Sequence, residues 1–387
     1  MSRTFFKATF PHIHPKHENG LTLPGPRYRP FSAQMTNPYK HLPPSAFWRT
    51  GVAELSPLAI RDIWTPKYQI RPDDSVATAG SCFAQHIGRA LAARGYNWFD
   101  AEPGPTALSA ANRARFNYGI FSFRTANIYT SAMLRQWIEW ALKKADPPEE
   151  IWEEGGRFFD PFRPSVEPDG FESADELLSS RAQTLKAIAR AVEHGSVFTF
   201  TLGLTEAWRN LRHGHVYAAC PGTLHGTFDA AKHGFHNFTP SEILGDLTAA
   251  FDLAREANPD LRILLTVSPV PLVATASGKH VLVASTYSKS VLRAAAGEYA
   301  DGHDYADYFP SYELIATAPS RAMFYEPNLR SVSNQGVDFV MDMFFRCMQG
   351  KYPPEIAPEP KQPAAPRVPS EDEIVCEEEI LEQFNEA

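Results

Sequence analysis

Cysteine is scarce in this sequence: 387 residues contain four, at positions 82, 220, 347 and 376. No two of them have the CxxC spacing of a zinc ribbon, and four thiols in so long a chain do not form a disulfide framework. We therefore expect reduced thiols and a cytoplasmic protein. The spacing alone leaves a bridge between Cys82 and Cys220 open.

Long apolar runs and an excess of basic residues are also missing. No apolar stretch reaches the roughly 18 residues that cross a bilayer. Residues 1–7 are not followed by the apolar core of a secretory signal. The formal net charge is −8, whereas nucleic-acid binding depends on Lys and Arg that neutralise phosphates. We expect no membrane span and no nucleic-acid partner.

What the sequence does contain is an alternation of apolar strands and amphipathic helices. Three short apolar stretches predict buried strands: residues 75–79 before Gly80, 196–202 before Gly203, and 261–267 before Ser268. Helical periodicity is found near residues 83–94, 130–144, 180–193, 240–257, 288–299 and 334–348. Such alternation predicts an α/β fold with a mostly parallel, doubly wound sheet. Ligands of such sheets bind beyond the carboxyl ends of the strands.

Three segments fall outside this pattern. Residues 1–50 are rich in Pro, His and Tyr and predict an extended arm, with Phe47 and Trp48 packed on a domain surface. We expect residues 51–350 to form the main domain, the one that would carry any catalytic site, with an irregular insertion at about 146–180. Residues 351–387 are Pro-rich and acidic, which predicts a disordered tail. The alternative for this tail is a short amphipathic partner helix that uses Ile374, Ile380, Leu381 and Phe384.

The segment Gly80-Ser81-Cys82 lies where the first strand gives way to a helix. A nucleophile on such a turn projects from the sheet edge, and the helix N-terminus can stabilise an oxyanion and lower the pKa of a thiol. Gly80 permits a tight turn. Taken alone, a turn of small residues before a helix is more often only a helix cap.

The run from Gly80 to Gly88, Gly-Ser-Cys-Phe-Ala-Gln-His-Ile-Gly, resembles the signature of the GSCFA family, which is named for its first five letters. Residues 117–122, 201–208, 266–270, 287–292 and 309–313 also resemble family segments, so the likeness covers about residues 35–350. The family is similar to the SGNH (GDSL-type) hydrolases. This resemblance implies a three-layer, flavodoxin-like α/β/α fold and hydrolysis or transfer of ester-linked acyl groups.

The resemblance also implies catalytic roles. Cys82 stands in register with the nucleophilic serine of the superfamily, with Ser81 one residue away as the second candidate. Gly203 and Thr205 take the places of an oxyanion-binding Gly-x-Asn, through a backbone N–H and a hydroxyl. Glu206 then orients a histidine or binds substrate hydroxyls.

The general base departs from the pattern. The superfamily has Asp-x-x-His before the last helix, whereas this sequence has Asn328 and Ser331 at those positions, and neither accepts a proton near neutral pH. Histidines elsewhere are the candidates: His280 first, His236 second, and His86, one helical turn after Cys82, third.

Further polar residues are predicted to line a substrate pocket: Arg124, Asn127, Tyr129, Ser268, Lys289, Asn328 and Arg330. The histidines at positions 213, 215, 225, 233 and 236 lack regularly spaced carboxylate or thiolate partners, so we expect no metal and no cofactor.

Two hypotheses follow. The first is an esterase or transferase that acts on carbohydrate O-acyl groups, with a small-molecule or glycan ester as substrate. The second is a non-catalytic ligand- or glycan-binding protein that lost its base. The oligomeric state is left open.

Overall fold

The computed structural model describes residues 37–353 and 377–385. The strands are β1 Val76–Gly80, β2 Trp152–Glu154, β3 Arg157–Phe159, β4 Val197–Leu202, β5 Glu206–Asn210, β6 His233–Asn237, β7 Arg262–Val267 and β8 Ala306–Tyr308. The α-helices are α1 Phe83–Ala93, α2 Ala110–Arg115, α3 Ser131–Ala141, α4 Ala174–His194, α5 Pro240–Ala257, α6 Val281–Gly302, α7 Ser311–Ala316 and α8 Asn334–Lys351. Shorter helical turns are Pro44–Ala46, Arg49–Ala53, Pro57–Ala59, Ala318–Ser320 and Glu377–Asn385.

The central sheet has the order β1-β4-β7-β8, and each neighbouring pair is parallel. On the other side of β1, Val76 forms a parallel bridge with Trp98. After β1 the chain therefore adds the Trp98 segment on one side of β1, and it then adds β4, β7 and β8 in turn on the other side. This makes the carboxyl ends of β1 and β4 the topological switch point, where doubly wound sheets bind their ligands.

Helices cover both faces of the sheet. Successive side chains of each strand point to opposite faces, so each strand packs against helices on both sides. Phe198, Phe200 and Leu202 of β4 pack with side chains of helices α3 to α6. Val197 of β4 and Val76 of β1 pack on the opposite face with side chains of α1, α7 and α8. The three-layer α/β/α prediction is confirmed, and the three predicted strands are found within one or two residues of their expected bounds.

The insertion is shorter and more ordered than expected. It contains the antiparallel hairpin β2–β3, and residues 174–180 already belong to α4. Asp160 is buried between Arg163 and Arg181, with nitrogen–oxygen distances of 2.8 and 2.9 Å. Burial raises the pKa of Asp160, but Arg181 and Arg163 outweigh this effect and hold it below its usual value. The ion pair with Arg181 therefore joins the insertion to α4.

The terminal segments also differ from expectation. In the predicted arm, residues 1–36 lie outside the described residues, while Phe47 and Trp48 are exposed rather than packed on a surface. In the predicted disordered tail, residues 354–376, with Ile374, lie outside the described part. Glu377–Asn385 forms a 3-10 helix, which agrees with the alternative of a short helix that contains Ile380, Leu381 and Phe384. No helix within the described ranges is both long and apolar enough to cross a membrane.

Candidate functional site

The turn between β1 and α1 depends on Gly80. Its φ of +132° is unfavourable for any residue with a side chain, and a Cβ there would lie 2.4 Å from the Thr201 carbonyl oxygen. Ser81 then donates its backbone N–H to the same oxygen at 3.0 Å. The chain thus turns into α1 while held against the end of β4.

The two candidate nucleophiles are both buried on this turn, Ser81 at 2% and Cys82 at 7% exposure. The Ser81 hydroxyl has no hydrogen-bond partner among the described residues. A Cβ built on Gly203 would lie 3.0 Å from the Ser81 Cβ, so the serine packs against the end of β4. Within the described residues, no disulfide joins Cys82 to Cys220.

Residues 127–130 cross the carboxyl ends of β1 and β4. The Ile128 N–H donates to the Gly80 carbonyl at 2.8 Å, and the Tyr129 carbonyl accepts from both Gly203 and Leu204 at 3.0 Å. Thr130 then caps the N-terminus of α3 through a bond from the Met133 N–H. This crossing places Asn127 and Tyr129, both predicted to bind substrate, next to the turn.

The Gly203–Thr205 turn is tied to α6. The buried Lys289 ammonium donates to the Gly203 carbonyl at 2.7 Å, and the Thr205 N–H donates to the Ser288 hydroxyl at 3.1 Å. The Gly203 N–H is engaged with Tyr129, so in this conformation it is not available to an oxyanion. The Thr205 hydroxyl is fully buried and has no hydrogen-bond partner among the described residues. Ser288 was not singled out from the sequence, although it lies in a family-like segment.

Glu206 lines a cavity of about 290 Å³ beside the turn. Its carboxylate accepts a hydrogen bond from the Thr275 hydroxyl at 2.6 Å, and partial burial raises its pKa. Tyr129 and Leu204 also line this cavity, whereas Ser81 and Cys82 are not among the described lining residues. The cavity is therefore next to the Gly203–Thr205 turn, which contributes Leu204 and is hydrogen-bonded to Tyr129.

Two of the three candidate histidines hydrogen-bond residues outside the β1–α1 turn, and the third has a lowered pKa. Exposed His280 caps α6 by accepting the Leu282 N–H on Nδ1 at 3.1 Å. His236 lies on β6 with its Nε2 2.9 Å from a Glu242 carboxylate oxygen. Burial, with a smaller contribution from Arg89, lowers the pKa of His86 to about 4.

The loop that replaces Asp-x-x-His is closed on itself. The Asn328 side chain donates to the Ser331 hydroxyl at 3.0 Å and accepts the backbone N–H groups of Arg330 and Ser331 at 2.9 Å. Asn328 is therefore a turn-forming residue in this structure. Arg330 instead reaches the C-terminal segment, with contacts of 3.7 Å to Glu378 and 3.1 Å to Glu379.

The two remaining predicted binding residues are structural in the observed contacts. Arg124 is buried and donates to the Phe116 and Val166 carbonyls, to Tyr118 and to Glu167. Because its guanidinium is directed at protein acceptors, it does not open into a pocket. Ser268 follows β7 and donates its N–H to the Leu202 carbonyl at 2.8 Å. It lies at the same sheet edge as Gly80 and Gly203, as predicted.

A second cluster was missed from the sequence, where His215 was weighed only as a metal ligand. His215 Nε2 lies 2.9 Å from a Glu150 carboxylate oxygen, and the Tyr217 hydroxyl bonds the same carboxylate. His215 and Glu150 line a cavity of about 1240 Å³, while Tyr217 lines the 290 Å³ cavity. Nothing in the sequence spacing brings Glu150 to His215, because they meet through the insertion. No group of residues in the described ranges is arranged to hold a metal ion.

No curated protein matches the sequence significantly. The model of the GSCFA family matches residues 75–344, which is more than half of the chain and includes the β1–α1 turn, the Gly203–Thr205 turn and Lys289. This chain belongs to the GSCFA family.

Proposed function

We propose that this chain hydrolyses or transfers ester-linked acyl groups in the manner of an SGNH-type hydrolase, with carbohydrate O-acetyl esters as the substrate class. The nucleophile is Ser81 or Cys82. The observation that carries the proposal is the buried Ser81 hydroxyl, which has no hydrogen-bond partner among the described residues at the topological switch point of the sheet. A buried polar group without a partner costs about 1–3 kcal/mol, so its retention at this position suggests use.

The oxyanion site in this proposal is the Thr205 hydroxyl. Like the hydroxyls of Ser81 and Thr201 at this edge, it is buried and has no partner among the described residues. A hydroxyl can rotate to donate one hydrogen bond to a developing oxyanion. The Gly203 N–H joins it only if the Tyr129 carbonyl moves away.

The base in this proposal is Lys289. His280 and His236 are bonded elsewhere, whereas Lys289 is 4% exposed and bonds the same glycine that packs against Ser81. A lysine amine can serve as the base that activates a serine, and serine–lysine pairs catalyse acyl transfer in other folds.

The proposed reaction has two steps, acylation of the nucleophile and deacylation. The Lys289 amine takes the proton from the nucleophile, which attacks the ester carbonyl and forms a tetrahedral oxyanion. The carbon–oxygen bond to the sugar breaks, and the sugar oxygen receives the proton from Lys289. Water or an acceptor hydroxyl attacks the acyl-enzyme in the same way and restores the nucleophile.

The test is acetate release from p-nitrophenyl acetate and from acetylated glycans. We expect one of Ser81→Ala and Cys82→Ala to abolish release, and the control variants Ser241→Ala and Cys347→Ala to retain it. Ser241 is exposed at the start of α5, and Cys347 lies in α8, where burial raises the pKa of its thiol.

The second hypothesis, a ligand-binding protein without activity, is favoured by the Asn328–Ser331 bond at the position of the usual acid and base. It predicts that the wild-type chain releases no acetate from any of these esters. It also predicts unchanged glycan affinity in Ser81→Ala and Cys82→Ala.

A further inference from the structure

The C-terminal segment Glu377–Asn385 forms one wall of the 290 Å³ cavity. Ile380, Leu381 and Phe384 line it together with Leu204, Trp208 and Leu272. The segment therefore borders the same cavity as Tyr129 and Glu206. Its position is defined by specific contacts as well as by apolar packing.

The first of these contacts is the burial of a carboxylate. Glu377 is 7% exposed, although an ionised carboxylate loses several kcal/mol of hydration on burial unless it is well bonded. Asn127 donates to one of its oxygens, and the Tyr129 hydroxyl donates to the same oxygen at 3.1 Å. The Ser165 hydroxyl donates to the other oxygen at 2.7 Å. Three neutral donors on two separate parts of the chain thus surround both oxygens.

The second contact is electrostatic. Arg330, itself 8% exposed, lies 3.1 Å from Glu379 and 3.7 Å from Glu378. This cation sits in the loop before α8, away from the Asn127–Tyr129 crossing in sequence. Two independent sites therefore hold the acidic start of the segment.

We propose that Asn127, Tyr129 and Ser165 form a carboxylate-binding subsite, and that Glu377 fills it as a tethered internal ligand in competition with free carboxylate-bearing molecules. Asn127 and Tyr129 belong to the crossing that holds Gly203, so the subsite adjoins the candidate catalytic turn. A donor set that bonds both oxygens of a side-chain carboxylate suits the carboxylate of an acidic sugar equally well. The subsite stands whether or not the turn is catalytic, since the test below measures binding alone.

The experiment uses the full chain and a fluorescent peptide of residues 377–387, followed by anisotropy. In the wild type the tethered segment has a high effective concentration and excludes the peptide. We expect Glu377→Gln to weaken the tethered segment and to bind the peptide roughly tenfold more tightly than the wild type does. Glu382→Gln is the matched control: it makes the same change at an exposed glutamate of the same helix, and we expect wild-type binding.

A second peptide with Gln in place of Glu377 separates charge recognition from apolar packing. We expect it to bind both chains more weakly than the parent peptide, and the comparison on the wild-type chain does not depend on the folding of any variant. Equal binding of the two peptides would overturn the subsite. So would equal peptide affinity in Glu377→Gln, Glu382→Gln and the wild type.

The ligand class is tested by displacement of the peptide from the Glu377→Gln chain at constant ionic strength. Glucuronate and glucose differ in having a carboxylate or a hydroxymethyl group at the same carbon. We expect glucuronate to displace the peptide and glucose to leave it bound. A peptide that neither sugar displaces, or both displace equally, contradicts the assignment to free carboxylates.

Discussion

The Tyr129 phenol donates a hydrogen bond to the Glu377 carboxylate at 3.1 Å, while the carbonyl of the same tyrosine accepts from Gly203 at 3.0 Å. One residue thus joins the C-terminal segment to the turn that packs against Ser81. Release of Glu377 would break the hydrogen bond of the Tyr129 phenol and leave the backbone bonds of Tyr129 to Gly203 and Leu204 in place. The segment and the candidate nucleophile are therefore structurally linked, although 296 positions separate them in sequence.

Replacement of Gly203 tests the packing of this turn. A Cβ there would lie 3.0 Å from the Ser81 Cβ and 3.1 Å from the Tyr129 carbonyl oxygen. We expect Gly203→Ala to displace the crossing, to cost about 1–3 kcal/mol of unfolding free energy, and to reduce ester hydrolysis.

The control for this variant is Gly245→Ala, in the exposed middle of α5, where a Cβ meets nothing within 4 Å. We expect it to raise the unfolding free energy by about 0.5–1 kcal/mol and to leave activity unchanged. Urea unfolding measures the free energy of unfolding of both variants, and p-nitrophenyl acetate hydrolysis measures their activity. A Gly203→Ala variant as stable and active as the wild type contradicts the packing argument.

Lys289 can be tested by two substitutions that separate its bonding from its basicity. Arginine can still donate to the Gly203 carbonyl but does not deprotonate in proteins, whereas methionine can do neither. We expect both variants to lose about 10²–10⁴-fold in kcat/KM. We also expect Lys289→Arg to keep a Tm closer to that of the wild type than Lys289→Met does.

The wild-type pH–rate profile completes that test, since a catalytic amine gives a rise in rate as it loses its proton. An active Lys289→Arg variant with an unchanged profile would show that Lys289 positions the Gly203 turn and takes no proton.

His86 makes stability depend on pH. Its pKa of about 4 means that the folded protein favours the neutral ring, while the unfolded chain takes up a proton below about 6.5. Stability is therefore unaffected by this group above about pH 6.5 and falls as the pH drops from there towards 4, by about 1–3 kcal/mol in all. We expect His86→Gln to reduce that fall.

Urea unfolding at pH 7.5 and pH 4.5 measures the change, with the exposed His213→Gln as the control that retains the wild-type difference. If His86→Gln loses as much stability as the wild type between the two pH values, the neutral ring of His86 is not the cause.

The sequence predicted the sheet edge well. Gly80, Gly203 and Ser268 each follow a buried apolar stretch, and local patterning is enough to locate such ends. Short strand β8 was missed, because three residues carry too little periodicity. Helix α6 begins seven residues before the predicted start at Ser288, since its first turn, Val281 to Ala284, is a continuous apolar run without helical periodicity.

The partners of the site residues were harder to predict, because they depend on long-range packing. The contact between Asn127 and Glu377 joins residues 250 positions apart, and that between Lys289 and Gly203 joins residues 86 apart. Arg124 was assigned to substrate because of its charge, but the insertion supplies acceptors for its guanidinium. The composition of the acidic tail predicted disorder. Composition alone does not show that Asn127, Tyr129 and Ser165 donate hydrogen bonds to one of its carboxylates.

The central claim is that the β1–α1 turn carries a nucleophile, and acyl-enzyme trapping tests it most directly. The wild-type chain is mixed with p-nitrophenyl acetate, quenched in acid and examined by intact-mass and peptide-mapping mass spectrometry. We predict one added acetyl group on the peptide that contains Ser81 and Cys82, lost in Ser81→Ala or in Cys82→Ala. An acetyl group located elsewhere, or retained in both variants, would contradict the account.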